Sequence, residues 1–103
     1  MRKFLSEMVR QLLNESESIS FDELDALIIK SRTDAEIMRR AVSGAKHRMA
    51  VKYQLGQPLT DKERDQLYHL GVHSIRQHAV IKWRLRGIFS IDYATRRISH
   101  VRK

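Results

Sequence analysis

Five histidines are the first residues in this chain with the chemistry for a site, and three of them, His69, His73 and His78, lie close together. His69 and His73 are four apart, a spacing that puts two imidazoles on one helix face. A zinc centre wants three or four ligands. The chain has no cysteine and no inward carboxylate near the pair, so ordinary polar or capping histidines are the expectation, with no metal and no cofactor. Asp61, Glu63 and Asp65 cluster, but steps of two spread them over different helix faces, unlike a catalytic carboxylate pair. They suit a helix N-terminus instead. No glycine-rich phosphate loop, nucleophile elbow or metalloprotease motif is present, and the expectation is a protein that binds and is not an enzyme.

The chemistry that remains is cationic. The formal net charge of +8 is unevenly spread. Residues 1–38 carry five Lys/Arg against eight Asp/Glu, a balance of −3; residues 39–65 carry seven against three, +4; residues 66–103 carry eight against one, +7, with Asp92 the lone acid. Such asymmetry points to a polyanionic partner, nucleic acid above all. The candidate contact residues are Arg76, Gln77, Lys82, Arg84, Arg86, Arg96, Arg97 and Arg102, with Ser74 beside them. Arginine and glutamine can each make two hydrogen bonds to a base edge, whereas lysine mostly serves phosphates. The plainer reading is a helical bundle whose last helix merely carries a solvated basic face.

Helical spacing runs through most of the chain. Phe4, Leu5, Met8, Val9, Leu12 and Leu13 form one apolar stripe. Ser20-Phe21-Asp22-Glu23 is a capping box for a second helix, with Ile19 placed to staple onto Leu24. Thr33-Asp34-Ala35-Glu36 opens a third, expected to run through Gly44 to about Tyr53 on Ile37, Met38, Ala41, Val42, Ala45 and Met49. Gly56-Gln57-Pro58 is the clearest break. Thr60-Asp61-Lys62-Glu63 opens the next helix, Gly71 is placed to cap it, and a basic helix is expected from Val72 until Gly87. Ile88–Tyr93 and Ile98–Val101 alternate as two strands of a hairpin turning at Ala94-Thr95.

These elements predict a mainly α protein, four to five helices in a single domain over residues 1–103, with a C-terminal β-hairpin. Residues 1–55 form a helical half offering an oligomerisation or partner surface, and residues 59–103 a basic half. The pattern around Leu70-Gly71-Val72 resembles a generic helix-turn-helix. Helix, turn, basic helix and hairpin in that order suit a winged helix-turn-helix, whose second helix enters the major groove while hairpin cations reach phosphates. A rival placement over Phe21–Val42 starts its reading helix with Asp34 and Glu36, which repel phosphate. A DNA-binding regulator is the leading expectation, duplex DNA being favoured over RNA. The others are an adaptor or inhibitor of a nucleic-acid-processing protein, and an RNA- or ribosome-associated protein stacking bases on Trp83, Tyr93, Tyr68 or Phe89. At their spacing those rings suit a core better. Helix one offers a homodimer contact. No stretch approaches the ~20 apolar residues of a membrane span, and a cytoplasmic setting fits the absence of cysteine.

Overall fold

The computed structural model describes residues 4–45 and 47–101; Arg102, one of the candidate contacts, lies outside the described residues. Among them are five helices and three strands: α1 (Leu5–Glu15), β1 (Ser18–Ser20), α2 (Phe21–Ser31), α3 (Asp34–Gly44), α4 (Arg48–Gln54), α5 (Asp61–Arg86), β2 (Phe89–Asp92) and β3 (Arg97–His100). No described helix is long and apolar enough to cross a membrane. The mainly helical fold with a C-terminal hairpin is as the spacing predicts.

All three capping residues work as their types require. The Glu23 amide donates to Ser20 Oγ (3.1 Å) and the Glu36 amide to Thr33 Oγ1 (3.3 Å). Thr60 closes a reciprocal box, its oxygen accepting from the Glu63 amide at 3.2 Å while Glu63 Oε1 accepts from the Thr60 amide at 3.3 Å. At the other ends, α4 and α5 stop on left-handed glycines, Gly56 (φ 68°) and Gly87 (φ 67°). Around Gly87, the Ile88 amide reaches back to the Trp83 carbonyl (2.9 Å) and the Gly87 amide to that of Arg84 (3.1 Å), which satisfies two otherwise orphaned carbonyls.

Two expectations are overturned. The helix from Thr33 does not reach Tyr53: it ends at Gly44, Ala45 turns extended (φ −93°, ψ 132°), and α4 starts afresh at Arg48. The glycine is exposed and nothing packs where its side chain would be, so nothing offsets its low helix propensity. The second correction concerns Gly71, which caps nothing. Helix α5 runs unbroken for 26 residues through it. A Cβ there would collide with the Ile37 carbonyl oxygen and lie 2.8 Å from Ile37 Cγ2. This glycine is needed for the close approach of α3, and the helix-turn-helix placed around it does not exist.

The chain forms two compact units: Arg32–Ile75, and Met1–Ser31 with Arg76–Lys103. In the first, Met38, Ala41 and Leu67 make a buried cluster edged by Ala45, Met49, Leu59 and Tyr68. The Tyr68 hydroxyl donates to Asp34 Oδ1 (3.0 Å), and Lys52 Nζ to Glu63 Oε1 (3.2 Å). In the second, Leu5, Val9 and Leu13 of α1 are buried, as are Ile19, Leu24, Ile28, Val80, Trp83, Phe89 and Ile98. The stripe of α1 is thus spent in its own fold, with Phe4 left exposed. Trp83 meets Phe89 edge to face at 5.1 Å.

The sheet of this unit has the order β1-β3-β2, all antiparallel. Strand β1 is the element that spacing alone does not reveal, being three residues long inside a serine-rich break. Its alternation is nonetheless regular: Ile19 pairs with Ile98, and both are fully buried. The Phe21 amide then donates to the Arg96 carbonyl (2.9 Å), tying the start of α2 to the hairpin.

Candidate nucleic-acid interface

The last eleven residues of α5 and the hairpin carry the six described candidate cations and Gln77, and the structure divides them. Arg76 faces inward. Its Nη1 lies 3.2 Å from Asp25 Oδ2, both side chains more than four-fifths buried, and its guanidinium sits 5.1 Å from the Phe21 ring centre. It braces α2 against α5 and is not presented to a ligand.

Gln77 and Arg84 are exposed and seven residues apart, so they share a helix face, with Ile81 between them. Arg84 stacks over Tyr93, guanidinium carbon to ring centre 5.5 Å. Tyr93 in turn meets Phe21 edge to face at 6.3 Å. The contact fixes the helix cation beside the hairpin turn. Lys82 and Arg86 are also exposed, but each stands two residues from Arg84 and projects roughly 160° round the helix from it. They form a separate flank.

The turn explains how a hairpin forms without glycine or asparagine. Asp92 Oδ1 accepts the amides of Ala94 (3.0 Å) and Thr95 (3.2 Å), a side-chain substitute for a backbone turn. Hydrogen bonds from the Thr95 side chain and amide, then from Ala94, hold the Asp92 carboxyl below its usual range. Arg96 takes the left-handed conformation (φ 56°) and its side chain is exposed. A non-glycine residue held there costs about 1–2 kcal/mol, and such strain gathers at functional sites. Arg97 points to the sheet's outer face, where Nε donates to Ser18 Oγ (2.6 Å) and Nη2 to the Ser18 carbonyl (3.2 Å). It is committed to β1.

What remains exposed is therefore Gln77 and Arg84 on one helix face, and Arg96 in the turn after Tyr93, whose ring Arg84 stacks on; base stacking alone draws attention to Tyr93 in the sequence. Trp83 and Phe89 are buried and unavailable for stacking. Among the described residues no three His, Asp or Glu side chains gather as metal ligands. Compared with protein-family models, curated proteins and solved structures, the chain matches none.

Proposed function

We propose that the chain is a non-enzymatic, DNA-binding regulator of the cytoplasm, reading duplex DNA with the Gln77–Arg84 face of α5 and gripping phosphate with the hairpin turn. The observation that carries this reading is the Arg84–Tyr93 stack, which sets a helix residue able to read guanine beside the turn bearing Arg96. In this arrangement α2 takes the bracing part expected of a separate helix before Gly71, through Asp25 and Arg76. Mobility shifts over a range of salt test it. Arg96→Gly removes a charge while suiting the left-handed backbone, so the fold is retained and the slope of log affinity against log salt falls by roughly one. Arg84→Ala weakens binding more on preferred sequences than on random ones. No duplex binding at about 100 mM salt, or binding indifferent to salt, overturns the proposal.

A second reading, an adaptor that binds a nucleic-acid-processing protein, is favoured by Leu85 (82% exposed) and Ile81 (45%) standing apolar on the same helix. A stoichiometric protein partner retained through nuclease treatment and lost in Leu85→Asp supports it over the first.

A further inference from the structure

The His69–His73 pair of α5 plays no part in that reading, yet its two rings are in direct contact. The two Nε2 atoms stand 2.9 Å apart, and the rings are nearly perpendicular (83°) with centres 4.1 Å apart. A collinear N–H···N bond would hold the centres further apart, because each centre lies behind its own nitrogen. The rings are therefore not collinear, and at least one of them is turned off the line between the nitrogens.

We infer that His69 and His73 form a two-imidazole site for a divalent cation that takes ligands at right angles, copper(II) first. With metal–nitrogen bonds of about 2.0–2.1 Å, a right angle at the metal separates two nitrogens by roughly 2.9 Å and a tetrahedral angle by roughly 3.4 Å. The observed nitrogen spacing matches the former, the geometry of tetragonal copper(II) or nickel(II), and is shorter than tetrahedral zinc takes; the ring centres, 4.1 Å apart, are closer than the roughly 4.5 Å of rings aimed squarely at such a metal, so the imidazoles turn slightly apart as it binds. No third protein ligand is assembled among the described residues, so water fills the remaining positions. Without metal, one neutral ring donates its Nε2 proton to the other. When the cation binds, the donor ring carries its proton on Nδ1, both Nε2 lone pairs go to the metal, and no net proton is released. His69 is exposed and His73 half-buried, so the cation reaches the pair from solvent while one turn of helix holds its ligands.

Calorimetric titration with copper(II) sulfate, with electron paramagnetic resonance at one equivalent, tests the site on the full chain. One copper bound through two imidazole nitrogens is expected. His69→Ala and His73→Ala should each lose about tenfold or more in affinity together with the two-nitrogen spectrum, while His78→Ala leaves both unchanged. Circular dichroism confirms folding, and if His73→Ala unfolds the exposed His69→Ala decides alone. Copper held equally well by His69→Ala overturns the site. Zinc bound more tightly than nickel overturns the right-angle assignment.

Discussion

Arg76 shows why residue type and spacing do not by themselves define a contact surface. It belongs to the basic segment and has the right side chain for a base edge, but its partner is Asp25, 51 residues earlier. No local pattern announces that pairing. Breaking a largely buried ion pair strands the remaining charge, so Arg76→Ala should cost about 2–4 kcal/mol in urea unfolding. The Asp25→Ala/Arg76→Ala double variant should cost less than the two single losses together. Glu63 makes a different kind of contribution. The hydrogen bond from Lys52, then that from the Thr60 amide, lowers its pKa, so the stabilisation is present above the ordinary glutamate range and is lost as pH falls through the depressed value. Glu63→Gln should melt below wild type at pH 7, and the gap should narrow as the pH falls below the ordinary glutamate range.

At the scale of the element, the caps, end glycines and strand alternation that the chain announces locally it also builds. The three capping oxygens, the glycines at 56 and 87 and the alternation around Ile91 and Ile98 each act within a few residues, and each forms as its chemistry dictates. Gly71 is misread because a glycine inside a helical pattern has two meanings, a cap or a close approach, and only the position of Ile37 separates them. Since the obstacle is backbone, Gly71→Ala should destabilise by about 1–3 kcal/mol despite raising helix propensity, visible as a lower thermal midpoint. Strand β1 escapes notice for a related reason: three residues become a strand only because β3 pairs with them. Of the candidate interface, the exposure of Gln77, Arg84 and Arg96 is as their types suggest, whereas the linking role of Tyr93 depends on a fold that no spacing encodes.

For the molecule as a whole, the segregation of charge along the chain is not the same as segregation in space. Of the described late cations, Arg76 and Arg97 are turned to Asp25 and Ser18, Lys82 and Arg86 keep to their own flank, and Arg84 with Arg96 is left for the proposed polyanion contact. The proposed interface is accordingly smaller than the net charge suggests, and its salt dependence should reflect few phosphate contacts. The strand register has a consequence of another kind. Among the described residues Ser18–Ser20 pairs only with Arg97–Ser99, so its sheet hydrogen bonds wait until residue 99 has been synthesised and has cleared the ribosomal exit tunnel. Until then the opening helices lack their sheet, and a nascent chain arrested before residue 97 should be cleaved by protease within its first thirty residues.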